Sequence, residues 1–393
     1  MKLRIVDVCA FYAPQGGGVK TYVERKLRAA PRHDVEMIIL APGKKDAIVH
    51  EEEGGYIRTL KTPAFPLDRR YHYFHDEAQL HKALDELAPD FVEVSSPWSS
   101  PAMVARWENA VPRSLVMHAD PLSAYAYRWF SPIASRESID RGFDWFWRHL
   151  RRLDRQYDLV ICASNDLSRR LSEGGLSNVL TMPMGVEPGI FSPNLRDTAL
   201  RARLLERCDL PPEATLLFAM GRHASEKRWP MVFEAVTAAG YDNQVGLVLM
   251  GDGRNRAQVV KAAAFNPHIH LAAPVKDRKA VATILASADA LIHGCEAETF
   301  CLVAAEAKAS GLPLIVPDEG GASDQFVPGQ GEMYEARNGV AMAAAVRRFL
   351  ANDPVQQRIA ASALAHTWPT MDDHFAQLFD LYKAQVKKVA NAA

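Results

Sequence analysis

Short apolar runs of β type alternate with longer helical patterns along the chain, and this alternation restricts the possible folds more than any other feature. Runs at 3–8, 35–40, 91–94, 114–117, 159–163 and 179–182 are followed by a second series at 216–220, 247–250, 269–272, 290–292 and 314–316. Parallel strands need long crossovers, usually helical, so the pattern predicts an α/β fold with parallel sheets built from βαβ units. A chain of 393 residues is long enough for two such domains, each with its own core. The stretch 182–194, Met-Pro-Met-Gly-Val-Glu-Pro-Gly-Ile-Phe-Ser-Pro-Asn, is a poor host for helix or central strand. A boundary there divides the chain into domains 1–185 and 186–368. Residues 373–390 form an amphipathic helical pattern (Phe375, Leu378, Leu381, Tyr382, Val386) after Trp368-Pro369.

Composition excludes several classes of function. Lys plus Arg total 46 against Asp plus Glu 47, so no net basic field favours nucleic acid as a partner. The N-terminus alternates charged and apolar residues, reads as a first strand and lacks an h-region, so secretion is not expected. No apolar run approaches the ~20 residues of a spanning helix. The five cysteines (Cys9, Cys162, Cys208, Cys295, Cys301) lack zinc or CxxC spacing and read as buried reduced thiols of a cytoplasmic protein.

Chemistry concentrates at residues 294–317. An apolar stretch ends in small and polar residues, Glu298 follows, and an Ala-rich helical pattern carrying Glu306 stops at Gly311 before the strand 314–316. The order strand, loop, helix, Gly stop, strand puts Glu298 and the amides of Thr299, Phe300, Cys301 and Leu302 at a helix N-terminus. Partial positive charge and unpaired N–H groups there favour phosphate. Glu306 falls roughly 12 Å further along the axis at 1.5 Å per residue, so the pair could hold both ends of an extended nucleotide-sugar. A second segment, 216–230, is a strand ending at Gly221, with Arg222 and Lys227 in the loop that opens the next helix. A planar fork and a compact ammonium both suit a diphosphate. After the first strand, Gly-Gly-Gly at 16–18 permits close backbone approach to a ligand. It is not G-x-G-x-x-G and lacks the acidic ribose partner, which disfavours a NAD-dependent oxidoreductase. His118 ends the strand 114–117, where open α/β sheets face their ligands.

With Phe300 and the Gly311-Leu-Pro-strand ending, 294–317 resembles the E-x7-E signature of retaining GT-B glycosyltransferases, in particular glycosyltransferase family 4. Gly221-Arg-His-Ala-Ser-Glu-Lys227 is similar to the family's G-R-x-x-x-E-K stretch. The likeness runs from the first strand to the last helix and is strongest from Leu216 to Pro317. It implies two Rossmann-like domains with parallel sheets facing a central cleft, an N-terminal acceptor-binding domain and a C-terminal nucleotide-sugar-binding domain. A helix, 369–393, would return to the first domain. It also implies that Arg222 and Lys227 neutralise the donor diphosphate and that Glu298 holds donor-sugar hydroxyls. Glu306 would hold the ribose, and Gly17 and Gly18 would lie beneath the phosphates. His118 takes an active-site role and Glu226 positions the loop. The resemblance carries no metal or other cofactor, and the nucleotide diphosphate sugar, UDP- or GDP-linked, is a co-substrate. Three departures stand out: Cys301 where Gly is usual, Met184 where Asn is usual, and Asp324 where Glu is usual.

Residues 136–158 carry Ile139, Phe143, Phe146, Trp147, Leu150, Leu153 and Tyr157 on one helical face, with Arg141, Arg148, Arg151, Arg152, Arg155 and Trp145 on the remainder. The apolar face reads as core. The basic remainder suits anionic headgroups, and Tyr125-Ala-Tyr-Arg-Trp-Phe upstream suits sugars or acceptor tails. These features point to a glycan or lipid-linked acceptor at an inner-membrane surface. Two other functions fit parts of the pattern: a nucleotide-sugar epimerase or hydrolase on the same fold, and a non-catalytic partner subunit. The first needs no acceptor surface, and the second would be expected to have lost some of Glu298, Glu306, Arg222 and Lys227.

Overall fold

The computed structural model describes residues 2–13, 18–50, 55–66, 71–95, 97–130 and 133–392. They fall into two compact units. The first comprises described residues within 1–122, 129–183 and 372–393, and the second comprises 123–128 and 184–371.

The first unit holds strands β1 (Leu3–Val8), β2 (Val35–Gly43), β3 (Ala47–His50), β4 (Tyr56–Lys61), β5 (Phe91–Val94), β6 (Arg113–Met117), β7 (Leu159–Cys162) and β8 (Val179–Thr181). They form one sheet in the order β3-β4-β2-β1-β5-β6-β7-β8, parallel except where β3 runs against β4. The second unit holds β9 (Thr215–Met220), β10 (Val245–Met250), β11 (Ile269–Ala272), β12 (Ala290–Ile292), β13 (Leu314–Pro317) and β14 (Gly331–Tyr334), in the order β11-β10-β9-β12-β13-β14, all parallel. Side chains alternate across a strand, and β9 buries both sets. Leu217 and Ala219 pack with Trp229, Phe233 and Phe349 on one face, while Leu216 and Phe218 pack with Leu285, Leu291 and Val316 on the other.

Three strands have no counterpart in the sequence reading. β3 is an edge strand with Ile48 and Val49 more than half exposed, β14 is the edge strand of the other sheet, and β4 mixes Arg58, Thr59 and Lys61 among its apolar residues, so none has the apolar run of a central strand. β1 occupies the expected residues. Read as a first strand from its alternation of charged and apolar residues, it lies between β2 and β5 with Asp7 fully buried, and Lys26 supplies that carboxylate a buried partner. The last helix, Met371–Ala392, belongs to the first unit and buries Phe375, Leu378, Phe379 and Tyr382 there. Tyr382 stacks on Phe91 with ring centroids 4.0 Å apart. The chain leaves for this helix beside its earlier crossing, where the Met371 amide donates to Val186 and the Val186 amide to Pro369. Residues 123–128 count with the second unit, although the sequence reading gave all of 1–185 to the first.

Candidate functional site

In the second unit β9 ends at Gly221, and Ser225–Lys227 forms a single 3-10 turn before helix Trp229–Ala239. That turn directs Lys227 inward and Arg222 outward. Lys227 is buried, and its ammonium donates to Glu298 Oε1. Arg222 is 78% exposed and pairs with Glu226 at 3.1 Å. Glu226 also accepts from Arg128 at 3.5 Å, so it holds the loop, as the sequence reading expects.

Glu298 stands just before helix Leu302–Ala309, reached through the loop after β12. Burial alone would raise its pKa, but Lys227, then His293 and Arg222, bring it down to about 2, so it is a carboxylate at any working pH. Burial likewise opposes the charge on Lys227, and Glu298 overcomes that and lifts its pKa above the ordinary value. The loop is braced from two sides. The Gly321 amide donates to the Glu298 carbonyl at 2.6 Å, and a Cβ on Gly320 would lie 2.1 Å from the Glu296 carbonyl, so a glycine there lets the two backbones touch. Glu296, also buried, accepts from Arg228 Nε at 2.8 Å.

The helix N-terminus is formed by an unusual residue. Cys301 has φ 66° and ψ 68°, the left-handed region, directly before Leu302. This conformation explains why glycine suits the position, and Cys301 adopts it with a buried side chain. Phe300 is buried too, with its carbonyl 3.4 Å from Gln325 Nε2. Phe300 and Cys301 therefore offer a ligand only their backbone. Glu306 follows inside the helix, nearly buried, and accepts from Arg278. The Arg278 guanidinium lies 5.1 Å from the Phe191 ring and its Nε is 3.4 Å from Glu187.

Sequence reasoning missed His293. It follows β12, is 1% exposed, and neither ring nitrogen has a hydrogen-bond partner among the described residues. Burial, with Lys227 nearby, lowers its pKa to about 4, so it is neutral. His293, Cys295 and Glu298 bring one donor atom each to within 4.8 Å of one another. A cation there would have to compete with the Lys227 ammonium for Glu298. Glu296, Arg228 and Arg278 were missed as well, since charged loop residues give no signal of their partners in one sequence.

In the first unit His118 follows β6. Its ring meets Tyr22 edge-on at 4.9 Å, and Tyr22 Oη lies 3.0 Å from His374 Nε2. Burial lowers the His118 pKa to about 4, against the pull of Glu93. Beneath it is a fully buried cluster: Lys26 Nζ lies 2.6 Å from Asp7 and 2.7 Å from Glu93, and Tyr382 Oη donates to Glu93 at 2.8 Å. One ammonium serves two carboxylates. Glu93 stays ionised, while burial, against Lys26, pushes Asp7 up to about 6. Gly18 opens helix Gly18–Ala29 with nothing within 4 Å of where a Cβ would stand, and Gly17 lies outside the described residues.

Thus in the second unit Lys227, from the connection after β9, pairs with Glu298, from the connection after β12; Arg222 adds its field at Glu298, and Glu306 lies on the helix that follows. The profile of glycosyl transferases group 1 matches residues 204–366, which contain all four, and the profile of glycosyltransferase family 4 matches 16–189. The chain belongs to glycosyltransferase family 4. Among relatives of this family-4 chain, a GDP-mannose-dependent alpha-(1-6)-phosphatidylinositol dimannoside mannosyltransferase of Mycobacterium tuberculosis is 28% identical over 374 residues, 93% of each chain. A GDP-mannose-dependent alpha-mannosyltransferase of Mycolicibacterium smegmatis is 29% identical, covering 94% of this chain and 95% of its own. The fold matches sucrose-phosphate synthase from Thermosynechococcus elongatus with a TM-score of 0.75 at 18% identity, over 98% of this chain and all of that one. The family-4 chain has the GT-B fold and is a nucleotide-sugar-dependent glycosyltransferase. No helix among the described residues is long and apolar enough to cross a membrane.

Proposed function

We propose that this enzyme transfers a hexosyl group, mannosyl from GDP-mannose, to a hydroxyl of a lipid-linked glycan or glycolipid at a membrane face, with retention of anomeric configuration. The observation that carries the reading is the pair of buried Lys227 with half-buried Glu298, just before the helix bearing Glu306. GDP is favoured over UDP because both relatives named above are GDP-mannose-dependent. The lipid acceptor rests on the phosphatidylinositol dimannoside in the first relative's name.

In this reading the second unit is the donor side. Lys227 and Arg222 meet the diphosphate, with the amides of Thr299, Phe300, Cys301 and Leu302 aimed at its charge. Glu298 accepts from donor-sugar hydroxyls and Glu306 from the ribose diol, which would displace Arg278. The bond from the anomeric carbon to the β-phosphate oxygen breaks, the acceptor oxygen bonds that carbon on the same face, and its proton passes to the departing phosphate. The first unit is the acceptor side. Gly17 and Gly18 keep the phosphate role the resemblance implies. His118, neutral at working pH, serves as a hydrogen-bonding residue rather than as a strong base. With Lys227 and Arg222 neutralising the leaving group, EDTA should leave the initial rate unchanged; loss of activity with rescue by Mg²⁺ or Mn²⁺ would contradict these roles.

Thermal-shift measurements with GDP- and UDP-sugars, followed by transfer from the stabilising donor to a lipid extract, test the reading. GDP-mannose should stabilise the protein more than any UDP-sugar, and the product should carry an α-linked sugar by NMR. Stabilisation by UDP-sugars alone, or a β-linked product, would overturn it.

A further inference from the structure

Helix Asp144–Asp154 buries Phe146, Trp147, Leu150 and Leu153 in the first unit and leaves Trp145, Arg148 and Arg152 exposed, with Arg155 exposed just past its end. At 3.6 residues per turn these four positions fall within about 80° of one another and span roughly 15 Å along the axis. Trp145 is 55% exposed and the Arg148 side chain 69% exposed. One carboxylate, Asp144, pairs with both Arg148 (3.1 Å) and Arg151 (3.0 Å). The helix's other acid, Asp154, turns inward to the amides of Ser177 and Asn178 at 2.9 Å. The outer face is therefore net positive in a chain whose formal charge is −1.

Apolar surface continues from the same end of the helix. Ring contacts run from Phe130 to Phe143 (6.1 Å), to Trp145 (6.5 Å), to Phe146 (5.7 Å) and to Trp98 (5.5 Å). Trp98 and Phe130 are 41% and 39% exposed, and Ile133 beside them is 83% exposed. The core of a protein interface is depleted of charge, whereas this face sets three guanidiniums in line with an exposed indole. A bilayer surface accepts both at one depth, the rings at the headgroup level and the cations against phosphates.

We infer that this face of the first unit rests on the surface of an anionic lipid bilayer, with Trp145, Trp98 and Phe130 entering the headgroup layer and Arg148, Arg152 and Arg155 meeting phosphates. The inference deepens the reading of a lipid-linked acceptor and names the surface that would bring the enzyme to it. Its deciding readout, vesicle binding, needs neither acceptor nor donor.

The full chain is co-sedimented with vesicles of phosphatidylglycerol and phosphatidylcholine, and with phosphatidylcholine alone, at low and high salt. Binding is expected to the anionic vesicles only and to fall at high salt. An arginine near such a surface is worth about a fivefold change in partitioning, so Arg148→Gln with Arg152→Gln should weaken binding about 25-fold. Trp145→Ser should also weaken it. GDP binding and the far-UV spectrum should stay as in wild type for each variant, because all three side chains are exposed. Wild type that ignores anionic vesicles at low salt overturns the inference, as do variants that bind like wild type. Vesicle-free dimers abolished by Trp145→Ser would overturn it too, by making the face a contact between copies. Vesicle binding without transfer to lipid would sink the acceptor reading alone, and transfer in detergent without vesicle binding would sink the docking face alone.

Discussion

Cys301 is where a single residue's backbone constrains the site most sharply. Its φ of 66° is left-handed, a conformation that costs an L side chain roughly 1–2 kcal/mol and glycine very little. Cys301→Gly relieves that strain but loses a buried thiol, whereas Cys301→Ala loses the thiol and keeps the strain. The Gly variant should therefore be more stable than the Ala variant by about 1 kcal/mol in denaturant titration. Equal stabilities would mean the loop relaxes around residue 301. Legibility differed between residues in a similar way. Glu298, Glu306, Arg222 and Lys227 could be picked out because their types and spacing match a pattern. His293 and Arg278 could not, since the importance of a buried imidazole or a stacked guanidinium lies in its neighbours, which are distant in sequence.

Among elements, the C-terminal helix Met371–Ala392 depends on more than apolar contact. Tyr382 donates to the ionised Glu93 and accepts from Ser114 Oγ at 3.1 Å, inside the cluster that also holds Lys26 and Asp7. Tyr382→Phe keeps the stacking on Phe91 but removes a hydrogen bond to a buried charge, so unfolding of the first unit should lose about 1.5–3 kcal/mol. A change below 0.5 kcal/mol would show that water replaces the hydroxyl. The amphipathic spacing of Phe375, Leu378 and Tyr382 was enough to recognise this helix, while its return to the first unit came from the resemblance; strands such as β9 and β10 declared themselves by unbroken apolar runs. β3 and β14 did not, because short edge strands bury too little to leave a pattern, and in β4 the polar Arg58, Thr59 and Lys61 break the apolar run. The break at Gly142 and Phe143, which divides the 136–158 pattern into two helices, left no interruption in the apolar spacing.

Across the whole molecule, buried histidines make acid the weak side of stability. His293 and His374 are 1% and 4% exposed, and burial lowers each pKa to about 4, below the ordinary value near 6.5. The unfolded chain thus binds more protons between these values, so the stabilisation is complete above about pH 6.5 and is lost as pH falls toward 4. Asp7 works the other way: its pKa is raised to about 6, so the native state gains stability as pH drops through that value. Burial lowers the His118 pKa to about 4 as well, and three histidines against one aspartate leave a net loss of about 4 kcal/mol between pH 7 and pH 5, readable as a lower denaturant midpoint. An unchanged midpoint would mean the imidazoles find solvent or a partner on protonation. In the proposed chemistry of the second unit Lys227 meets the donor diphosphate and Glu298 its sugar. Calorimetric titration of GDP-mannose and GDP into wild type, Lys227→Ala and Glu298→Gln tests it most directly. Lys227→Ala should weaken both ligands by about 10- to 100-fold, while Glu298→Gln should leave GDP nearly unchanged and remove the extra affinity for GDP-mannose. Wild-type affinity for both ligands in both variants would contradict it.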